Sequence, residues 1–433
     1  MNKKFNFSQN IEFSPLVDYP GNLDQVKKIF KTNNFSFLGN GRSYGDMALN
    51  KNKMISSKRF NKILEFDKSK GLLTIESGAL LSDTLPIIIK EGWFIPTTPG
   101  TKFVSFGGMV ANNIHGKNVK KNSIKNYIKN ITLILPSKKM IQCSPYINKE
   151  KFNLTVGGFG LTGMIISVKI QLKKITSDKI IQEIKEFNSY NELVRSINLN
   201  KNNEYNVAWV SNFDNKDISG LLFKGKHERK KVKDILFFDY KIRKINIIIF
   251  WILYFKVRIK YLNIFTNYVY KKYNKFFYKK KISINKFFYP QDTFLNWNII
   301  YGKKGFFQIQ ILFKKESFKK VMSEINFFLE KNNLFSSFIV IKKYDESGKY
   351  LNFSGEGISL SMDFRTNHKL EILKAFFNNL IKKYNLRVNF SKDLITESHN
   401  TRPYKEFESF KQNINKLNNG KINSIFSNRL KIT

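Results

Sequence analysis

The chain has 433 residues, 42% apolar and 15% aromatic, enough to fill the cores of two or three domains. A single cysteine, Cys143, excludes an internal disulfide and a cysteine-rich zinc or iron–sulfur site, and His115, His227, His368 and His399 lack ligand spacing, so no metal is expected. The net charge of +42 is nearly all lysine in a chain also rich in Asn, Ile and Phe, the joint bias of an AT-rich genome. Dedicated phosphate readers use arginine more often, so nucleic acid is not the expected partner; anionic membrane surfaces or phosphorylated substrates are.

The first 16 residues carry two lysines but no apolar core, so no secretory signal is expected. No run of 18 apolar residues marks a transmembrane helix. Residues 22–32 predict a short helix with Val26, Ile29 and Phe30 on one face. A strand at 35–38 runs into a glycine-rich loop, Gly39-Asn40-Gly41-Arg42-Ser43-Tyr44-Gly45-Asp46. Strands near 63–66 and 72–77 form a hairpin-like region, and a helix is predicted over 83–91 with Ser82 as its N-cap. Residues 99–118 then gather four glycines, two hydroxyls, three amides and one of the four histidines. Glycines let backbone approach a ligand closely, and successive free N–H groups make anion-binding concavities. Amides and hydroxyls add neutral donors suited to a pyrophosphate and a polar heteroaromatic ring. Composition alone fits a tight turn in a core equally well. Strands near 131–135 and 140–143 flank a turn, and a third loop, Gly157-Gly158-Phe159-Gly160-Leu161-Thr162-Gly163, leads into a strand at 164–172. None of the three loops fits the dinucleotide or P-loop fingerprint. Together they point to a large, extended nucleotide touched from several sides.

In order and spacing these loops resemble the vanillyl-alcohol-oxidase type of FAD-linked oxidoreductase, and in detail its branch that oxidises polyprenyl-phosphoryl ribose. The resemblance rests on Gly41 to Asp46, Pro99-Gly100-Thr101, Gly107-Gly108, Ile114-His115-Gly116-Lys117-Asn118 and Gly160-Leu161-Thr162-Gly163; the His-Gly-Lys-Asn element is the most specific. It implies an α+β fold, with a two-lobed FAD-binding domain of the PCMH type over 1–175. An antiparallel-sheet substrate domain would follow over 176–384, and a C-terminal segment, 385–433, would return to the flavin. FAD contacts are implied for Gly39, Asn40, Gly41, Arg42, Ser43, Tyr44, Gly45 and Asp46 in the first loop. In the second they are implied for Gly100, Thr101, Ser105, Phe106, Gly107, Gly108, Asn112, Asn113, Ile114, His115, Gly116 and Asn118. Gly160, Thr162, Gly163 and Ile165 complete the set with Asn389, which replaces an aromatic often found there. The wider family often attaches its flavin through a first-loop histidine. Arg42 stands at that position, so FAD is expected to be non-covalent.

Beyond residue 176, strands are predicted at 206–210, 305–313, 337–343 and 358–364. Gln308 and Gln310, and Ser359 and Ser361, fall on alternate positions. Such a polar face either floors a pocket or meets water; the resemblance favours the pocket. It places Lys117, Trp209, Gln308, Gln310, Lys342, Ser359 and Ser361 around the substrate, Ser361 standing where mycobacterial relatives carry a cysteine. Residues 230–281 are unusual: the apolar run 247–255 is too short to span a bilayer, and Tyr and Phe then interleave with Lys271, Lys272, Lys275, Lys279, Lys280 and Lys281. Six lysines near an anionic leaflet contribute at most on the order of 6 kcal/mol. A buried helix with a solvated lysine face reads equally well from these residues. A polyprenyl substrate favours membrane docking, because each CH₂ left in water costs about 0.8 kcal/mol.

Oxidising a sugar alcohol needs a hydride acceptor and a group to take the hydroxyl proton. A lysine serves as that base only where burial or neighbouring cations lower its pKa. By resemblance, Lys392, within 388–393, is the residue at the substrate hydroxyl, and His115 is a second base or a flavin-side hydrogen-bonding group. The implied reaction is oxidation of the ribose 2-hydroxyl of a polyprenyl-phosphoryl-β-D-ribose to the 2-keto sugar, the first half of epimerisation to an arabinose donor. An NAD(P)H-dependent short-chain reductase would complete it. The expected location is peripheral to the inner membrane, with the cytoplasmic side favoured. The rivals are an FAD oxidase of a soluble polyol or aldonolactone, and a non-enzymatic nucleic-acid-binding protein.

Overall fold

Three larger sheets, of three, five and eight strands, organise the computed structural model, which describes residues 4–198, 203–213, 217–230, 247–294, 296–346, 348–353, 355–401 and 404–433. In the N-terminal part β1 (Leu16–Asp18), β2 (Phe35–Leu38) and β3 (Lys53–Ser56) form a parallel sheet in the order β1-β3-β2. β4 (Ile63–Asp67), β5 (Leu72–Glu76), β6 (Ile128–Ile134), β7 (Met140–Cys143) and β8 (Met164–Gln171) form an antiparallel one in the order β7-β6-β8-β5-β4. Leu73, Ile75, Ile131, Leu133, Val168 and Ile170 alternate along these strands and are fully or almost fully buried. Helix α1 (Leu23–Ile29) starts at Asn22, whose side chain accepts from the Gln25 N–H, and it buries Val26 and Ile29.

Helix α2 (Leu81–Lys90) corrects one expectation. Its N-cap is Leu80, not Ser82, and it has no side-chain cap. The free N–H groups of Leu81 and Ser82 instead reach the carbonyls of Val104 and Lys102 at 2.9 and 2.8 Å. Tertiary backbone partners satisfy what a cap would, and the Ser82 hydroxyl turns to Asp83. The stretch 99–118, read as loop, contains a short helix, α3 (Phe106–Ala111), capped by Ser105. Glycine at 107 permits its close packing: a Cβ there would lie 2.8 Å from that of Ser77, the residue after β5.

The largest sheet is antiparallel throughout. Its strands are β9 (Lys179–Phe187), β10 (Tyr205–Phe213), β11 (Ile218–His227), β12 (Lys279–Ser283), β13 (Phe306–Phe313), β14 (Phe338–Asp345), β15 (Glu356–Arg365) and β16 (Arg387–Val388). They run in the order β12-β9-β11-β10-β14-β15-β13-β16. The period of two sorts its faces. Phe307, Ile309 and Ile311 of β13 and Leu360, Met362 and Phe364 of β15 enter one core. Two helices, Phe318–Lys331 and Leu370–Tyr384, cover that face, and their Phe328 and Phe376 rings stack at 3.9 Å. The opposite face carries Gln308, Lys342, Ser361 and Asp363 and turns towards the glycine loops. After β16 the chain passes the loops again, and Ile422 bridges to Phe35 of β2.

The apolar run forms helix α4 (Ile247–Lys256), which has no buried residue. Ile247 and Ile248 are each 66% exposed, so the buried-helix alternative does not hold. The next helix, α5 (Lys260–Phe276), is inverted: it buries Asn263, Asn267 and Asn274 and exposes Tyr261, Phe265 and Phe276. The inward amides are satisfied by backbone, Asn263 donating to the Ser337 carbonyl at 3.2 Å and Asn267 to that of Ser211 at 3.1 Å. Residues 231–246 of the unusual segment lie outside the described residues. No helix among the described residues is long and apolar enough to cross a membrane.

Candidate active site

A cavity of about 870 Å³ lies between the glycine loops, the polar face of the large sheet, and α4 and α5. Gly39, Asn40, Gly41, Arg42, Ser43 and Tyr44 of the first loop line it. From the second stretch come Gly100, Thr101, Ser105, Gly107, Gly108, Asn112, Ile114, His115 and Lys117, and from the third Gly160, Gly163 and Ile165. Trp209, Gln308, Lys342, Ser361, Asn389 and Lys392 complete this part of the wall.

Other residues singled out from the sequence stand behind that wall. Gly45 lets the C-terminal segment approach: a Cβ there would meet the carbonyls of Asp393 and Phe390 at 2.7 and 2.9 Å. Asp46 pairs with Arg429, and Phe106 is fully buried in the core. Asn113 accepts from the Lys125 N–H in a turn, and Asn118 donates to the Pro96 carbonyl. The Gly116 carbonyl accepts from the Lys342 amine, and the Thr162 hydroxyl meets that of Thr155. Gln310 and Ser359 are each 1% exposed and bond to one another at 3.0 Å, and Asn389 covers Gln310.

The wall fits FAD. Three glycine-rich loops leave room for an extended dinucleotide, and three buried polar atoms on residues of the wall, Ser77 Oγ, Arg42 Nε and Gln308 Oε1, have no hydrogen-bond partner. Buried polar groups are nearly always paired, so such orphans mark where a polar ligand belongs.

Three lysines and a histidine cluster at the polar end. Burial pushes the Lys117 and Lys342 amines down to about 7, Lys342 with help from Lys392 and Lys117. Burial lowers Lys392 to about 8, against the opposing pull of Asp363. His115 is held well below the usual histidine range by burial and then by Lys342 and Lys392. Both its ring nitrogens are engaged, Nδ1 by the Tyr344 hydroxyl and Nε2 by the Asn389 amide nitrogen at 3.3 Å. The Ser391 N–H binds Asn389 Oδ1, which turns the amide nitrogen towards His115 and makes Nε2 the acceptor. His115 is thus a neutral, fully bonded ring, whereas the Lys392 amine faces the cavity above the Tyr44 ring, 5.7 Å from its centroid.

Asp363 and Tyr344 were missed in the sequence. Asp363 lines the cavity, is 1% exposed, and is hydrogen-bonded by Gln308 and Tyr301. Burial raises its carboxyl to about 6. The alternation that marked Ser359 and Ser361 reaches Asp363 two residues on, and the same step leads from Lys342 to Tyr344. Two further ties hold the halves of the site together. Asp292 accepts from the Lys102 N–H at 2.7 Å, and the Thr98 and Tyr289 hydroxyls meet at 2.7 Å.

Comparison with known proteins agrees with this wall. Residues 14–144 match the FAD binding domain family. Over 384 residues the chain is 24% identical to decaprenylphosphoryl-beta-D-ribose oxidase of Mycolicibacterium smegmatis, covering 82% of this chain and 79% of that one. It is 32% identical over 143 residues to D-lactate dehydrogenase of Anaerostipes hadrus, covering 32% and 30%. It is 25% identical over 172 residues to L-gulonolactone oxidase of Mus musculus, covering 38% and 39%. The matches to the last two thus span only 30% and 39% of those proteins' lengths. With its FAD-binding domain and its relatives among oxidases and dehydrogenases, the chain is an FAD-dependent oxidoreductase acting on CH–OH groups, similar to the vanillyl-alcohol-oxidase type.

Proposed function

We propose that the protein oxidises the ribose 2-hydroxyl of a polyprenyl-phosphoryl-β-D-ribose to the 2-keto sugar. One observation carries this reading: a single cavity joins the buried amines of Lys117, Lys342 and Lys392 to an apolar limb walled by Trp209, Ile252, Leu253, Val257 and Tyr270. A soluble polyol or aldonolactone needs neither the buried cations nor the limb. The extent of the match to the mycobacterial oxidase, against about a third of the lactone oxidase, supports the same choice.

Bound FAD supplies the hydride acceptor. Lys117 and Lys342 hold the phosphodiester anion. Gln308 Oε1, buried and without a partner, accepts from a sugar hydroxyl. The neutral Lys392 amine takes the proton of the 2-hydroxyl while the hydrogen on that carbon leaves as hydride. His115 orients Asn389 and the cavity floor. FAD is held non-covalently: no cysteine lines the cavity, and both His115 nitrogens are occupied. The 2-keto product passes to an NAD(P)H-dependent short-chain reductase, and the enzyme works peripherally at the inner membrane, on its cytoplasmic side. Trapping the product with borodeuteride tests the position of attack. Deuterium is expected at C2 of a ribose–arabinose mixture; deuterium at any other carbon contradicts the reading.

The lysines also set a pH dependence. Lys392 is competent as a base where it is neutral, above about 8. Lys117 and Lys342 attract the anion where they are charged, below about 7. The kcat/KM for flavin reduction is therefore expected to be bell-shaped, with its maximum between these values. Asp363 holds Lys392 up, so Asp363→Asn should move the maximum to lower pH. An unmoved maximum would show that this carboxylate does not tune Lys392.

A further inference from the structure

We infer that α4 and α5 are at once the membrane-docking surface and the roof of the substrate's tail channel, so that the apolar tail passes between bilayer and cavity without crossing water. The inference rests on the lipid-linked reading above and names how that lipid arrives. The two faces of the helix pair carry it. On the inner side, Ile252 and Leu253 of α4, Val257 just after it and Tyr270 of α5 line the cavity, and Trp209 of β10 packs edge-on against Tyr270 at 4.9 Å. On the outer side, Ile248, Trp251 and Phe265 are exposed and line no part of it.

Ile252 belongs to both sides. It is 46% exposed and lies on the cavity wall, which places the mouth of the limb at the edge of α4. The inversion of α5 has no purpose for a helix facing water. Asn263 and Asn267 are spent inward on the carbonyls of Ser337 and Ser211, while Tyr261, Phe265 and Phe276 are exposed. An interfacial helix buries an apolar face in lipid and offers lysines to headgroups. Residues 247–281 contain no acidic residue, and Lys272 and Lys279 are exposed among the aromatics, while Lys275 and Lys281, exposed too, pair with Glu186 and Glu228. That charge complements an anionic bilayer. Arg258, between the helices, donates to the Ile300 and Tyr301 carbonyls at 2.8 and 3.0 Å and pins the pair beside the cavity.

The test uses the holoenzyme and the triple variant Ile248→Glu, Trp251→Glu, Phe265→Glu. The wild type should sediment with phosphatidylglycerol vesicles but not with phosphatidylcholine vesicles, and the variant at least tenfold less. Anaerobic flavin reduction by polyprenyl-phosphoryl ribose held in phosphatidylglycerol vesicles should slow about tenfold in the variant. Reduction by a short-chain, water-soluble analogue should stay unchanged, which also shows that the variant folds. Wild-type protein that does not sediment, or a variant that treats both substrates as the wild type does, overturns the inference and leaves the substrate reading intact. A solution dimer lost in the variant, without vesicle binding, assigns the face to a second copy and overturns it too. Sedimentation on anionic vesicles, with neither ribose substrate reducing the flavin, overturns the substrate reading alone and keeps the docking surface.

Discussion

Replacing Lys392 with methionine is expected to slow anaerobic flavin reduction by lipid-linked ribose about 10²–10⁴-fold, the usual worth of a positioned general base. The protein should remain yellow, because the three glycine loops provide most of the cofactor wall. Methionine keeps much of the lysine's length and removes only the amine. The position is well defined: the Lys392 N–H donates to the Asn389 carbonyl at 3.0 Å, and the side chain lies over Tyr44. Its lowered pKa leaves an appreciable neutral fraction near neutrality, whereas an ordinary lysine is almost wholly charged there. His115 cannot take over, since both its nitrogens are already bonded. Stopped-flow absorbance separates the outcomes. Reduction at the wild-type rate in Lys392→Met, together with its loss in His115→Gln, would transfer the role of base to His115.

Replacing Arg429 with methionine is expected to cost about 3–5 kcal/mol of stability, the range for breaking a buried ion pair from one side. Arg429 makes a two-pronged contact with Asp46, at 2.9 and 3.0 Å, and a third bond to Asp393 at 3.0 Å. The two carboxylates are 3% and 0% exposed, so losing the guanidinium leaves two buried anions side by side. The pair also ties the first glycine loop to the segment that carries Asn389 and Lys392. Flavin release should therefore occur at lower temperature along with unfolding, which flavin fluorescence during a thermal ramp would follow. Lysine at 429 should rescue little, because it lacks the planar fork that spans both carboxylates. A variant within about 1 kcal/mol of the wild type would mean that the carboxylates find protons or water instead.

The parts of the site written in local pattern were readable without coordinates. The glycine loops announce themselves by residue type and spacing, and the strands by alternation. The cofactor followed from those loops. What escaped was set by contacts distant in sequence. Arg429 and Asp46 have no local signature, although together they close the site. Ser82 looks like a cap, but carbonyls some twenty residues away satisfy its helix. Gln308 and Gln310 share a strand face, yet only Gln308 lines the cavity, because Asn389 lies over Gln310 and bonds to it at 2.8 Å. The run in α4 reads alike whether buried or exposed; only the amides of α5, engaged inward, settle which side of the pair faces out. Asp363 was within reach of the same alternation that marked its neighbours.

The most direct test is anaerobic mixing of the yellow protein with polyprenyl-phosphoryl ribose, with free ribose, and with an aldonolactone, while the flavin absorbance is followed. Bleaching by the lipid-linked ribose and by neither soluble compound is the expected result. Bleaching by the aldonolactone or ribose, with none by the lipid-linked sugar, would contradict the assignment of substrate and return the enzyme to its soluble-sugar relatives.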